Sequence, residues 1–246
     1  MRKIKIIQVL PTISYGDAVS NDAINIDKFL RKNGYKTEIY AENIDKKLKG
    51  KVFKISKLKK VNKNDILIYH KSTGTDLSFL LERYKCKKVM RYHNITPGKY
   101  LEKYNKYLYN LVEYGRKGLE HASRYFDYSL AVSDYNKSEL DELKYKNTTT
   151  LPILVPFEDY KKEPDKKVIK KYSDRKKNIL FVGRIAPNKA QEDVVKSFYY
   201  YKKYVNKDSR LILVGNDNGF ENYSDLLKKL VKELGLENDV VFPGHI

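Results

Sequence analysis

Four histidines are spread over 246 residues, and two of them follow short apolar runs directly. His70 closes Ile66-Leu67-Ile68-Tyr69 and precedes Lys71. His93 follows Val89-Met90-Arg91-Tyr92 and opens His93-Asn94-Ile95-Thr96-Pro97. Such runs read as buried strands, so both imidazoles are expected at strand carboxyl ends, where open α/β sheets bind ligands. A third cluster is Phe181-Val182-Gly183-Arg184-Ile185-Ala186-Pro187-Asn188-Lys189. There a strand ends in glycine, and two cations five residues apart precede a helix. Free helix N–H groups flanked by two positive side chains suit a diphosphate. Tyr15-Gly16-Asp17-Ala18 follows the first apolar run, and a glycine there lets the backbone approach a ligand or simply makes a turn. Each cluster has an ordinary alternative: a structural histidine, or a surface Arg and Lys beside a helix start. His121 falls mid-helix and reads as structural.

The elements that would position these residues alternate strand and helix, which predicts a parallel sheet with helices on both faces. Lys3–Leu10 is a buried first strand, ended by Pro11. Ala23, Ile26, Phe29 and Leu30 repeat at helical spacing, and Gly34 stops that helix. Strands are expected at Lys36–Ala41, at Asp65–Tyr69, at Lys88–Tyr92 and at Tyr128–Val132, with a short edge strand near Val52–Ile55. A helix is expected over Asp76–Tyr84. A long amphipathic helix carries Leu101, Tyr104, Leu108, Leu111, Gly115 and Leu119, with Pro97 suited to its beginning. Ser133 reads as an N-cap, and Thr148–Leu151 closes the first domain, 1–160. The proline-containing stretch 152–164 reads as a linker into a second domain, 161–246. That domain has strands at Asn178–Val182, at Arg210–Val214 and at Asp239–Phe242, with helices at Gln191–Tyr204 and at Tyr223–Leu234. Three strands and two helices are half of a doubly wound domain, so the second domain is expected to be only partly present.

Composition narrows the function classes. The chain carries a formal charge of +19, and nine of the nineteen residues from Lys46 to Asn64 are lysines with no acid among them. A solvated lysine-rich surface, attraction to anionic lipid and nucleic-acid binding are three readings of that run. Nucleic acid has the least support, since no zinc knuckle, RNP-like aromatic motif or helix-turn-helix signature accompanies it. No stretch approaches eighteen apolar residues, the N-terminus has no signal-peptide pattern, and Cys86 is the single cysteine, which points to the cytoplasm. Nucleophile-elbow, Walker, His-Glu-x-x-His and Gly-x-Gly-x-x-Gly patterns are absent, as are Asp-x-Asp metal clamps.

The block Val182-Gly183-Arg184 with Lys189 resembles the Val-Gly-Arg…Lys signature of glycosyltransferase family 4. The spacing continues through Leu211-Ile212-Leu213-Val214-Gly215, Tyr223, Leu234-Gly235-Leu236 and Val240-Val241-Phe242-Pro243-Gly244. His93-Asn94-Ile95-Thr96-Pro97, with His70-Lys71-Ser72 before it, is similar to a subset associated with bacterial surface polysaccharides. Ala190 departs from the family, which usually has glycine after the lysine. The resemblance implies a GT-B architecture of two Rossmann-like domains. It also implies transfer of a sugar, with retention, from a nucleoside diphosphate sugar to a saccharide or lipid-linked acceptor, without cofactor or metal. Arg184, Lys189, Gly16 and Gly183 would hold the donor diphosphate. His93 would serve at the reacting sugar, and Asp17, His70, Lys71 and Asn94 would contact sugar or acceptor. Gly215 and His245 would lie at the nucleotide. A peripheral contact with the inner face of an anionic membrane is a further expectation. Family enzymes carry a Glu-x7-Glu segment that would lie beyond Ile246, so the 246-residue chain is expected to have little or no activity alone. A half-enzyme acting as a partner module, and a GT-B nucleotide-sugar 2-epimerase, are the alternatives.

Overall fold

The computed structural model describes residues 4–245, without the side chain of Asp159; Lys3 and Ile246, named above, lie outside the described residues. The chain divides into two compact units. One holds the residues up to Thr96 together with Asn110–Tyr160, and the other holds Pro97–Tyr109 together with the residues from Lys161 on.

The first unit is built on a seven-stranded sheet in the order β3-β2-β1-β4-β5-β6-β7, with every pair parallel. Its strands are β1 (Lys5–Ile13), β2 (Lys36–Ile44), β3 (Phe53–Lys54), β4 (Ile66–Lys71), β5 (Lys87–Tyr92), β6 (Tyr128–Ala131) and β7 (Thr148–Thr150). The order reverses between β1 and β4, and a doubly wound sheet opens its ligand crevice at the carboxyl ends of the strands at that switch point. Helix α1 (Ala18–Lys32) crosses from β1 to β2, capped by Asp17 and stopped by Gly34 at φ +81°. Helix α1 packs its Ala23 with Leu10, Ile13, Ile39 and Ala41 into one apolar core.

Strand β1 runs three residues further than the sequence suggests. Pro11 is tolerated because β1 pairs with β4 only over Ile6–Val9, so its missing N–H breaks no ladder on that side. Two helices are shorter than their periodicity implies. Over 76–84 only one α-turn forms, α2 (Leu77–Leu80), followed by a 3-10 turn. The long helix α3 (Lys106–Ala122) begins well after Pro97, because Asn105 Oδ1 accepts from Leu108 N at 2.9 Å and fixes its start. Helix α4 (Asp134–Glu142) is N-capped by Ser133 as expected.

The second unit contains α5 (Lys166–Tyr172), β8 (Lys177–Val182), α6 (Gln191–Tyr204), β9 (Ser209–Val214), α7 (Glu221–Glu233) and β10 (Val240–Gly244). Its sheet is parallel in the order β10-β9-β8, the 3-2-1 half of a doubly wound domain. Strand β8 is therefore an edge, with Leu180 61% and Val182 69% exposed.

Candidate functional site

Gln8, His70 and Arg91 project from adjacent strands toward α1, and all three are fully buried. Alternation along β4 sends His70 to that face and Lys71 to the other. Arg91 Nε donates to Asp22 Oδ2 on α1 at 2.8 Å, and neither side chain is exposed. The second guanidinium edge donates to the carbonyls of Leu151 and Pro152, while Asp22 Oδ1 accepts from Leu154 N at 2.9 Å. These bonds satisfy the lone pairs and protons that a buried pair of opposite charges would otherwise leave bare. Against this pair lie the two histidines. His70 Nδ1 is 3.0 Å from His93 Nε2, His70 Nε2 is 2.9 Å from Gln8 Oε1, and Gln8 Nε2 donates to Ala23 O at 3.1 Å. The imidazole planes stack at 22°.

Burial drives both imidazoles toward neutrality. It holds the His93 pKa down to about 4, with Arg91 lowering it further and Asp22 and Asp17 opposing. His70 lies well below its ordinary value for the same reason, with His93 and Arg91 adding to the effect. Asp22, His70 and His93 bring three possible metal-ligand atoms within 4.8 Å of one another. Hydrogen bonds fill that space, and the oxygen a cation would need already accepts from Arg91. A second cation there would face that guanidinium directly. The donor set does not suit a resident metal.

His93 Nδ1 and Asn94 Oδ1 are both buried and without a hydrogen-bond partner among the described residues. Asn94 holds φ +80°, a left-handed conformation that asparagine tolerates better than most residues. Lys71, expected at the acceptor, lies on the opposite sheet face, fully buried. Its ammonium donates to Thr73 O at 2.9 Å and Ser78 Oγ at 2.8 Å, and burial lowers its pKa to about 7. Such a group is a core lysine, out of reach of an acceptor. Gly16 has φ +78° with open space around it, and Asp17 caps α1 through Ser20 N at 2.9 Å.

In the second unit the loops after β8 and β9 meet backbone to backbone. A Cβ on Gly215 would stand 1.9 Å from Gly183 O, so glycine is required there, whereas one on Gly183 would find only ordinary contact. The Arg184 guanidinium lies 4.8 Å from the Phe220 ring centroid and donates to Asn218 O. Gln191 Nε2 ties the Arg184 carbonyl to the start of α6 at 2.9 Å. Desolvation lowers the Arg184 pKa from its ordinary value, yet guanidinium remains charged at any physiological pH. Lys189 is exposed and makes no ion pair among the described residues. The Tyr223 hydroxyl donates to the Glu192 carboxylate in the first turn of α6. His245 is exposed just after β10.

The structure thus unites His70 with His93 and adds Gln8, Asp22 and Arg91, which the sequence reading missed. The signal for Gln8 and Arg91 was a lone polar residue inside each apolar run, Ile6-Ile7-Gln8-Val9-Leu10 and Val89-Met90-Arg91-Tyr92; Asp22 had no such mark.

Residues 161–246 match the model of the family described as glycosyl transferases group 1. No curated protein matches the chain. Among solved structures, it is similar to HepE of Anabaena in complex with UDP and glucose, at 16% identity and a TM-score of 0.67. That alignment covers 99% of this chain and 70% of the other. A glycosyltransferase of Rickettsia africae aligns at 19% identity and TM-score 0.67, over 100% and 69% of the two chains. WaaG, a glycosyltransferase involved in lipopolysaccharide biosynthesis, aligns at 12% and 0.64, over 98% and 70%. The chain therefore has the α/β fold of the GT-B glycosyltransferases, and its residues 161–246 carry a region similar to the glycosyl transferases group 1 family.

Proposed function

We propose that the chain serves sugar transfer from a nucleoside diphosphate donor to an acceptor hydroxyl with retention, in the synthesis of bacterial surface polysaccharide or glycolipid. The observation that carries this reading is the overlap of the group 1 match with the Gly183–Lys189 loop, where an exposed Arg184 is held over the Phe220 ring and against Asn218 O. In the transfer the bond from anomeric carbon to diphosphate oxygen breaks, and the acceptor oxygen bonds to that carbon. The departing phosphate takes the acceptor proton. Negative charge grows on the diphosphate, and preorganised cations stabilise charge best where it develops. Arg184 and Lys189 are the residues for that role. His93, neutral, touches sugar or acceptor through a hydrogen bond rather than acting as a base. Asn94 has the same acceptor character, and the backbone near Gly215 and His245 lies toward the nucleotide. The neighbours crystallised with UDP, and with UDP and glucose, are consistent with such a donor.

Isothermal titration with UDP, GDP, ADP and dTDP against their monophosphates tests this. A diphosphate is expected to bind more tightly than its monophosphate, and Arg184→Ala is expected to cost about 3 kcal/mol, near 100-fold. Equal affinity for mono- and diphosphates, or an Arg184→Ala variant that binds as wild type, refutes the assignment. A second reading, a partner module without turnover of its own, is favoured by the open apolar edge at β8. Binding without turnover would support it, and turnover of any sugar nucleotide would remove it.

A further inference from the structure

The protons of the buried histidine pair can be placed by elimination. The carbonyl of Ala23 can only accept, so Gln8 must turn its amide nitrogen toward it and its oxygen toward His70. His70 Nε2 must then carry the hydrogen. In a neutral ring Nδ1 is bare, and the atom facing it, His93 Nε2, has to donate. Asp22 Oδ2, 3.7 Å from the same His93 Nε2, is also an acceptor and agrees with a hydrogen there. His93 is left with a bare Nδ1, one of the buried atoms without a partner among the described residues. Unpartnered buried polar atoms are rare in native proteins and call for a ligand or an ordered water.

We propose that Gln8 and His70 are positioning residues that lock His93 in its Nε2–H tautomer, so that Nδ1 offers a lone pair to a hydroxyl of a bound saccharide. The saccharide rests on the transferase reading; the lock does not. A bare Nδ1 selects for chemistry: it accepts from O–H or N–H groups and repels phosphate or carboxylate oxygens, which carry no hydrogen near neutral pH. It therefore assigns the contact at His93 Nδ1 itself to a sugar hydroxyl rather than to a diphosphate oxygen. The charges around His93 are Asp22, Arg91 and Asp17, with His70 neutral beside it. Asp22 and Arg91 offset each other, so the ring can stay uncharged.

The test is 15N NMR of the chain labelled at histidine. Between pH 6 and 8 both buried rings are expected to show a pyrrole-type Nε2 and a pyridine-type Nδ1. Gln8→Met keeps volume but removes the acceptor, and is expected to mix the tautomers of both rings; Gln8→Glu, still an acceptor, restores the single pattern. A protonated Nδ1 on His93 in the wild type overturns the proposal, as does a Gln8→Met spectrum identical to wild type. Should Gln8→Met fail to fold, the wild-type spectrum decides alone. Stoichiometric Co2+ binding that perturbs both rings would also overturn it, because a metal needs the Nε2 lone pair of His93. Titration with UDP-, GDP- and dTDP-sugars reads the ligand: Nδ1 moves upfield on accepting a hydrogen bond, and binding that leaves Nδ1 unmoved refutes the saccharide contact. If none of these binds, the transferase reading fails while the spectra still judge the lock.

Discussion

At the scale of the residue, two positions carry costs that point in opposite directions. Ala190 sits at φ +49° and ψ 44°, left-handed, immediately before α6. An L side chain there costs about 1–2 kcal/mol relative to glycine, offset in part by glycine's greater unfolded-state freedom. Ala190→Gly is expected to stabilise the protein by roughly 1 kcal/mol, read as a higher urea midpoint with unchanged slope. The buried histidines work against stability in acid. His93 titrates near 4 in the fold and near 6.5 when unfolded, so below 6.5 the unfolded chain binds a proton that the folded chain refuses. Its stabilising share is complete above about pH 6.5 and lost as pH falls toward 4, about 3 kcal/mol in all, and His70 adds in the same direction. Urea midpoints at pH 7 and 4.5 check this. His93→Asn should flatten the difference, and an unchanged slope would contradict a neutral buried imidazole.

At the scale of the element, period-two alternation in β4 separates neighbours that sequence alone places together. His70 and Lys71 are adjacent, but one faces α1 and the other packs beneath α3, where a Cβ on Gly118 would come within 3.3 Å of the Lys71 ammonium. No carboxylate pairs with that ammonium among the described residues. Its pKa near 7, against 10.5 when exposed, means that the unfolded chain holds one more proton between those values. Stability from this group is full above 10.5 and falls as pH drops to 7. Lys71→Met fills the same space without a charge, so its advantage over wild type should be about 3 kcal/mol larger at pH 6 than at pH 9. Thermal melts of both proteins at the two pH values measure it, and a pH-independent difference would show the lysine to be solvated. The strands were legible because apolar runs are their own signal; their order in the sheet and the face a polar residue takes were not, since pairing is set in three dimensions and the face depends on where each strand's pleat begins. Helix α3 was misplaced for a similar reason. Periodicity marked Leu101 and Tyr104, but a single asparagine side chain at position 105 set the helix start. The histidine pair was legible from two strand ends, whereas Asp22 lay unmarked within a polar helix turn.

At the scale of the whole molecule, the charge of +19 is unevenly placed. All nine lysines between Lys46 and Lys63 are exposed, on a stretch that includes β3 at the sheet edge, and Phe53 stands 43% exposed among them. No helix among the described residues is long and apolar enough to cross a membrane. An anionic surface attracts each nearby lysine by about 1 kcal/mol, and the attraction fades over a Debye length of about 10 Å at 0.1 M salt. Co-sedimentation with vesicles containing phosphatidylserine should therefore be strong at low salt, weak at 0.5 M, and absent with neutral vesicles. Replacing Lys57, Lys59, Lys60 and Lys63 with serine removes roughly 4 kcal/mol of that attraction, close to three orders of magnitude in partition. Those four positions are remote in sequence from His93 and Arg184, so nucleotide binding serves as the internal control. Equal binding to neutral and anionic vesicles would assign the contact to apolar insertion by groups such as Phe53. Tighter binding to duplex DNA than to vesicles, with a steep salt dependence, would assign the lysines to nucleic acid instead. A quadruple variant that partitions as wild type would leave the run as solvated surface, a bias of composition with no partner of its own.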